Sequence, residues 1–370
     1  MSRDYLLFIT QFVRHVTQDN QTGGTLSNYL LLKALSKNRK IKILSFDDNY
    51  DSVEGFASEG IEVCTVGHPS WGGLSLTANW NPFVQSKTQE FLTEYGVPRD
   101  VVVTTSSLPA LKVFDQVPDV NRAVVVRAFE NYGFRPPKVS VRLRINLAKL
   151  AVIRRFSDVR MMKRADMVIT NSEFMRKSIR KRFTINKSKI NIIPPLCDIQ
   201  SSIHKFHEVG NIIGFVTRGS DKNYPFVLEL AKRAPEYLFL IYGHTNKIDP
   251  ATPKNVIVKG WESDRQAMLS SAAVWLMPSL WPEPFGRVSM EAQAAGRIAL
   301  VINAGGLPET VADKRFVIDG FECEQWLRAI HEAFMMHSSV IEDNGAKIRA
   351  KFSQESHDMK IDDLFANSHT

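Results

Sequence analysis

The chain has 370 residues, of which 44% are hydrophobic and 23% are charged. This composition is typical of a globular protein with sizeable cores, and it excludes a disordered chain, a collagen-like repeat and a small disulfide scaffold. At roughly 150 residues per domain, the length predicts about two domains. No apolar run reaches the ~18 residues that a membrane span needs, and the short run from Tyr5 to Ile9 predicts a first strand rather than a signal peptide.

The net charge of +8 is distributed unevenly along the chain. Residues 1–200 carry a net charge of +11, whereas residues 201–370 carry a net charge of −3. Most of the excess lies in residues 135–189, where 17 basic side chains accompany only 3 acidic ones. Solvated helices would explain this pattern, and so would a surface for an anionic partner, either membrane headgroups or nucleic acid.

Apolar runs alternate with helical patterns through the first half of the chain. β-branched runs without polar alternation, such as 101–105 and 123–126, are typical of parallel strands that are covered on both faces. Strands are predicted at residues 5–12, 41–46, 101–105, 123–126, 166–170 and 189–193. Helices are predicted at residues 26–35, 142–165 and 173–183.

A second alternation begins after Pro194 and Pro195, with a predicted linker near residues 196–209. Strands are predicted at residues 212–216, 237–242, 256–258, 274–277 and 298–302. Helices are predicted at residues 224–234, 264–271 and 287–295. Two successive runs of this kind predict two doubly wound, Rossmann-like α/β domains, residues 1–197 and 198–354, which would face each other across a ligand-binding cleft.

The most informative segment follows the predicted strand that ends at Met277. It is a loop with three prolines, and the helix after it begins near Gly286. The first backbone N–H groups of this helix would be free to face an anion or a polyhydroxyl ligand. Glu283 lies just before the helix and Glu291 about one turn inside it. Attraction to the helix dipole would explain Glu283 alone, but Glu291 lies among small apolar residues and needs a partner or a ligand.

Glu283 and Glu291 are separated by seven residues, and the segments Glu291–Gly296 (E-A-Q-A-A-G) and Gly305–Glu309 (G-G-L-P-E) follow. This combination resembles the signature of the family 4 glycosyltransferases, which are retaining enzymes of the GT-B fold. Further segments resemble the family in the same order, namely 23–24, 166–174, 192–198, 214–222 and 258–261. The resemblance covers nearly the whole chain and is densest from residue 166 to residue 311. It implies that a C-terminal helix, residues 355–370, joins the first domain.

The resemblance also implies a nucleoside-diphosphate-sugar donor of UDP or GDP type and no metal cofactor. Arg218 and Lys222 would neutralise the donor diphosphate, which is the charge that cationic clamps stabilise best. Glu291 would bind the ribose hydroxyls, and Glu283 would hold the transferred sugar. Arg218, Lys222, Glu283 and Glu291 are thus the expected catalytic residues. Further contacts with the donor are expected from Gly243, Gly260, Trp261, Phe285, Gly286, Arg287 and Val288.

Acceptor binding is expected in the first domain. Gly23 and Gly24 would let the backbone approach the acceptor, although a tight turn before a helix would explain them equally well. Many family members carry a histidine after a strand of this domain, whereas the matching strand here is followed by Arg127 and Glu130. These two residues are expected at the acceptor. In the expected front-face attack, the β-phosphate of the donor accepts the proton of the acceptor hydroxyl.

The resulting hypothesis is a retaining hexosyltransferase that forms an α-glycosidic bond on a glycan or lipid-linked saccharide, in cell-surface polysaccharide or lipopolysaccharide synthesis. It would be cytoplasmic and peripheral at the inner face of the membrane, held on anionic lipid by residues 135–189. The three cysteines lack C-x-x-C spacing, which agrees with a reducing compartment. The alternatives are a GT-B epimerase or phosphorylase, or a basic nucleic-acid-binding protein. Nucleic acid is not expected, because no recognition module has its spacing here.

Overall fold

The computed structural model describes two compact units. The N-terminal unit comprises Met1–Asn171, Met175–Ile193 and Asp358–Thr370, and the C-terminal unit comprises Ser172–Phe174 and Pro194–His357. The described residues are 4–11, 23–47, 51–67, 75–105, 107–117, 119–128, 157–202, 205–217, 220–243 and 252–366. Most of the helix predicted at 142–165 lies outside them, and residues 157–162 of it are helical.

A parallel sheet forms the centre of the N-terminal unit. Its strands in chain order are β1 (Leu6–Thr10), β2 (Ile41–Ser45), β3 (Glu62–Thr65), β4 (Val101–Thr104), β5 (Asn121–Val126), β6 (Met167–Thr170) and β7 (Ile190–Ile192). Across the described residues the seven strands are ordered β3-β2-β1-β4-β5-β6-β7. In this register Phe8 of β1 lies beside Ile43 of β2 and Val103 of β4.

Helices cover both faces of this sheet. They are α1 (Gly23–Ser36), α2 (Asp51–Ser58), α3 (Ser75–Tyr95) and α4 (Glu173–Phe183), with a 3₁₀ segment at Leu108–Gln116. Because successive strand side chains point to opposite faces, Phe8 packs in one core cluster with Leu32 of α1, and Ile9 packs in another with Phe91 of α3. All four side chains are at most 4% exposed. Burial on both faces explains why these strands consist of unbroken apolar runs.

The C-terminal unit repeats this plan around a second parallel sheet. Its strands are β8 (Ile212–Thr217), β9 (Leu238–Gly243), β10 (Val256–Gly260), β11 (Val274–Met277), β12 (Ile298–Ile302) and β13 (Val317–Ile318). The described part of the sheet has the order β10-β9-β8-β11-β12-β13. Its helices are α5 (Tyr224–Arg233), α6 (Arg265–Ser270), α7 (Arg287–Ala294), α8 (Cys323–Phe334) and α9 (Ser338–Lys351). The last helix, α10 (Gln354–Ala366), begins in this unit and belongs to the N-terminal unit from Asp358 onward.

Two buried tryptophans mark the core of the C-terminal unit. Trp275 of β11 and Trp326 of α8 are both 0% exposed, and each indole N–H is satisfied by a backbone carbonyl, that of Leu269 and that of Gly320 respectively. Burying a tryptophan with its N–H bonded keeps the large apolar area without an unpaired donor.

The two parallel sheets with their helices confirm the prediction of two doubly wound α/β domains. Six helices and strands of the described residues that the sequence pattern did not predict are α2, β3, α3, β13, α8 and α9.

The last helix, α10, contributes to the core of the N-terminal unit. Ile361 and Phe365 are 2% and 1% exposed within the cluster that also contains Leu32 of α1. Arg39, which follows α1, donates from Nη2 to the carbonyl oxygen of Phe365 over 3.0 Å. No helix within the described residues is both long enough and apolar enough to cross a membrane.

Candidate active site

The candidate donor-binding residues of the C-terminal unit follow the carboxyl ends of its parallel strands. Lys222 comes after β8, Gly243 ends β9, Gly260 ends β10, and Glu283 follows β11. Since parallel strands all end at the same edge of a sheet, this arrangement collects the predicted residues at the edge where α/β sheets bind ligands. Trp261, directly after β10, is 47% exposed there. Arg218 lies outside the described residues.

Lys222 and Glu283 contact each other, although the sequence predicts that they bind different parts of the donor. Lys222 Nζ lies 2.7 Å from Glu283 Oε1, and the hydroxyl of Ser279 donates to the same oxygen. The Glu283 side chain is 15% exposed and that of Lys222 is 32% exposed. The pair is therefore reachable from solvent, and its charges compensate each other.

The Gly305–Gly306 pair supports the loop that carries Glu283. A Cβ atom on Gly305 would lie 2.6 Å from the backbone nitrogen of Glu283, and the residue has a φ of +65°. Gly306 donates its backbone N–H to the carbonyl oxygen of Glu283 over 2.7 Å. The two glycines thus let one backbone segment pack directly against another, which is a physical reason for the G-G-x-P-E pattern.

The start of α7 presents uncapped backbone donors. Gly286 is the N-cap residue, with a φ of +111°, and it has no side chain that could cap the helix. A Cβ atom on it would lie 2.5 Å from Cδ2 of Leu307. The first-turn N–H groups, which include those of Arg287 and Val288, donate no hydrogen bond to a side chain of the N-cap residue and can bind an anion. Phe285, 4% exposed, anchors this turn edge-on against Phe352 with ring centroids 5.6 Å apart.

Glu291 lies at the centre of a buried ion-pair network. Its side chain is 4% exposed, and Oε1 lies 2.7 Å from Arg265 Nη1 and 2.7 Å from Arg287 Nη2. The other terminal nitrogen of Arg265 lies 2.7 Å from Asp198 Oδ2. Burial lowers the pKa of Arg265, but the attraction of Glu291 and Asp198 outweighs that effect and leaves the pKa above its ordinary value. Glu291 therefore has the partners that its burial requires.

Sequence reasoning missed Arg265 and Asp198. Arg265 is the first residue of α6, and its helix is short, so no motif marked it. A usable signal was the isolated carboxylate of Glu291 on an apolar helix, which demanded a cationic partner somewhere in the same unit.

In the N-terminal unit, the predicted acceptor residues lie near the start of α1 and the end of β5. Gly23 and Gly24 are the first two residues of α1. Arg127 directly follows β5 and is 8% exposed, and its guanidinium donates to Asn28 Oδ1 over 2.9 Å and to the carbonyl oxygen of Ser27 over 3.1 Å. These two bonds tie Arg127 to the first turns of α1. Glu130 lies outside the described residues.

The C-terminal unit also matches a known sequence family. Residues 198–356 match the family model described as "Glycosyl transferases group 1". The chain is similar in structure to the Anabaena protein HepE in complex with UDP-glucose, with a TM-score of 0.71 and 16% identity over 98% of this chain and 100% of that one. The fold is that of the GT-B glycosyltransferases. The lipopolysaccharide outer core galactosyltransferase WaaB is another similar structure, with a TM-score of 0.69 and 14% identity over 98% and 99% of the two chains.

A curated relative adds a sequence match to the GT-B likeness. The chain is 25% identical over 217 residues to D-inositol 3-phosphate glycosyltransferase of Mycolicibacterium smegmatis. The match covers 51% of this chain and spans half the length of that relative. The predicted GT-B fold is thereby confirmed, and within it the glutamates, Lys222 and the open helix start of α7 all belong to the unit that the family model matches.

Proposed function

We propose that the protein is a glycosyltransferase that uses a nucleoside-diphosphate sugar. The observation that carries the proposal is the pairing of charged groups at the carboxyl edge of the C-terminal sheet. Lys222 beside Glu283, together with the uncapped start of α7, offers a cation and free N–H donors next to a carboxylate. A sugar diphosphate needs this combination, because the phosphates require positive charge and the sugar hydroxyls require an acceptor.

Each part of the donor then has a partner. Lys222, with Arg218, neutralises the diphosphate, and the first N–H groups of α7 donate to it. Glu283 accepts hydrogen bonds from the sugar, and Glu291 accepts them from the ribose. Gly243, Gly260 and Trp261 line the side of the base. A UDP-type donor is favoured, since the structurally similar HepE is seen with UDP-glucose.

We further propose that transfer retains the anomeric configuration and forms an α-glycosidic bond, without a metal. The C1–O bond to the diphosphate breaks while the acceptor oxygen bonds to C1 from the same face. The acceptor proton passes to an oxygen of the leaving β-phosphate. Lys222 and the N–H groups of α7 stabilise the negative charge that develops on the leaving group, which is how such sites lower the barrier.

The proposed acceptor is a glycan or a lipid-linked saccharide of the cell surface, and the N-terminal unit would bind it through Gly23, Gly24 and Arg127. The lipopolysaccharide galactosyltransferase among the similar structures is consistent with such an acceptor. Helix α4 supports a membrane partner, since Met175, Ile179 and Phe183 are buried, whereas the basic side chains of Lys177, Arg180 and Lys181 are exposed.

Thermal unfolding with UDP, GDP, dTDP and CMP tests the donor proposal. At 100 times Kd, binding contributes about 2.7 kcal/mol, which for a unit of this size raises Tm by about 5–10 °C. We expect one diphosphate to give this shift in the wild type and a much smaller shift in Lys222→Met. Transfer of sugar from the matching donor, with the anomeric configuration of the product read by NMR, then tests retention. The absence of a shift with all four nucleotides would refute the proposal.

Co-sedimentation with vesicles tests the membrane proposal. Each basic residue near an anionic surface contributes about 1 kcal/mol, so that reversing the charges of Lys177, Arg180 and Lys181 to glutamate is expected to abolish binding to vesicles with anionic lipid. Binding of the wild type to neutral vesicles should be weak. Equal binding of the wild type to neutral and anionic vesicles would contradict this role.

A further inference from the structure

Two arginines converge on one oxygen of Glu291. Arg265 Nη1 and Arg287 Nη2 each lie 2.7 Å from Oε1. The hydrogen bonds of the described residues leave the second oxygen, Oε2, without a donor. Arg265 donates a hydrogen bond to Oε1, whereas Arg287 contacts the same oxygen as an ion pair without hydrogen-bond geometry. A carboxylate has about four lone-pair directions, so these two cations hold Oε1 and leave the directions of Oε2 for a ligand.

The position of Arg287 is unfavourable for helix stability. Arg287 is the first residue of α7, where the helix dipole repels a cation. Its side chain is only 11% exposed, so burial also disfavours its charge. Glu291, one turn further along the same helix, is the anion that compensates for both effects. The need to hold this carboxylate explains an arginine at a position that otherwise disfavours one.

Arg265 reaches the same carboxylate from a different helix and is itself anchored. Its Nη2 contacts Asp198, which is 43% exposed, while its Nη1 contacts Glu291, which is 4% exposed. The chain Asp198–Arg265–Glu291–Arg287 has two negative and two positive groups and is neutral as a whole. Neutrality matters, because an uncompensated carboxylate here would repel the donor diphosphate.

We propose that Arg265 and Arg287 are positioning residues that turn Oε2 of Glu291 toward the ribose diol of the donor, and so make the site select ribonucleotides. The inference rests on the proposed function, since it concerns the same donor. It assigns the selection to the two arginines acting through Glu291, not to a direct contact with the nucleotide. The charge of Glu291 stays balanced whether or not a donor is bound.

The test compares the affinity of UDP with that of 2′,3′-dideoxy-UDP by calorimetry, or the guanosine pair if GDP is the nucleotide that stabilises the wild type. A hydrogen bond to a charged group contributes about 1.5–3 kcal/mol, which predicts a wild-type preference of about 10–150-fold for the ribonucleotide. We expect Arg265→Met and Arg287→Met each to reduce this preference at least fivefold. Both nucleotides should also bind more weakly, because the carboxylate that has lost one cation repels their diphosphates, but the ribonucleotide should lose at least five times more affinity than the dideoxynucleotide. The variant Glu291→Gln shows how much preference for the ribonucleotide remains when the carboxylate is absent.

Arg233→Met is the matched control, because Arg233 is an exposed arginine of the same unit that pairs with Glu229. It should keep the full preference. If the arginine variants weaken both nucleotides equally, or keep the wild-type preference, the two arginines are structural and the inference is overturned while the proposed function stands. If the wild type binds none of the nucleotides, the proposed function fails and the inference with it.

Discussion

Replacing Gly305 by alanine should displace the loop that carries Glu283. A Cβ atom at Gly305 would lie 2.6 Å from the nitrogen of Glu283 and 2.6 Å from the carbonyl carbon of Pro282, about 0.8 Å closer than ordinary contact begins. Both neighbours are backbone atoms and cannot rotate away. One of the two segments must therefore move, and the Gly306-to-Glu283 hydrogen bond would be strained with it.

The expected magnitude has two parts. Alanine at a φ of +65° costs about 1–2 kcal/mol, because Cβ clashes with the local backbone in the left-handed region. Overpacking against a rigid neighbour adds about 1–3 kcal/mol. At roughly 2–4 °C per kcal/mol for a unit of this size, Tm should fall by about 4–20 °C. A shift of Glu283 by about 1 Å should also lower the rate of sugar transfer by about 100-fold.

Gly320→Ala separates the two parts. Gly320 has a φ of +77°, similar to that of Gly305, but nothing lies within 4 Å of the added Cβ. It should show only the backbone cost, with a Tm lowered by about 2–8 °C and full donor affinity. Thermal unfolding and donor titration of both variants check the expectation. If Gly305→Ala matched Gly320→Ala in Tm and in donor affinity, the packing argument for the glycine pair would be refuted.

Three further predictions concern charge, buried polarity and pH. Lys222→Met leaves Glu283 without its cation, and we expect the Kd for the nucleoside diphosphate to rise about 10–100-fold. The control is Lys232→Met, which replaces an exposed lysine of α5 and should leave this Kd unchanged. Gln293→Leu removes a side chain that is 4% exposed and makes three hydrogen bonds with backbone groups. Urea unfolding should show that the free energy of unfolding falls by about 1–3 kcal/mol, and an unchanged urea midpoint would contradict this expectation. Burial raises the pKa of Cys197 from 9.0 to about 11, so the stability that this neutral thiol contributes is complete below pH 9 and is lost as the pH rises toward 11. Cys197→Ala should flatten the fall in stability across this window, and a wild-type slope in the variant would argue against the raised pKa.

Much of the C-terminal site could be predicted from the sequence because its parts are local. Glu283, Gly286 and Glu291 lie within one strand–loop–helix unit, where spacing along the chain determines spacing in the fold. Gly305 could be predicted through the family pattern alone. Its physical role needs the contact with the Glu283 backbone, which joins residues 22 positions apart.

Two partners of the predicted carboxylates could not be predicted, because they come from distant segments. Arg265 reaches Glu291 across 26 positions, and Lys222 reaches Glu283 across 61. The end of β5 shows the same limit. Arg127 is predicted at the acceptor, and the sequence does not reveal that its guanidinium also donates to Asn28 and Ser27, 99 and 100 positions earlier. Long polar side chains find partners that periodicity cannot reveal.

The placement of α10 sets the order in which the two cores can be completed during synthesis. Ile361 and Phe365 belong to the core of the N-terminal unit, yet the ribosome adds them after the whole stretch Pro194–His357. Domains fold as units while the chain emerges. The C-terminal unit therefore has its full set of core residues first, and the N-terminal unit, although translated first, lacks two of its core residues until α10 is made. The apolar surface of the N-terminal unit that these two side chains cover stays open until the later half of the chain has been translated.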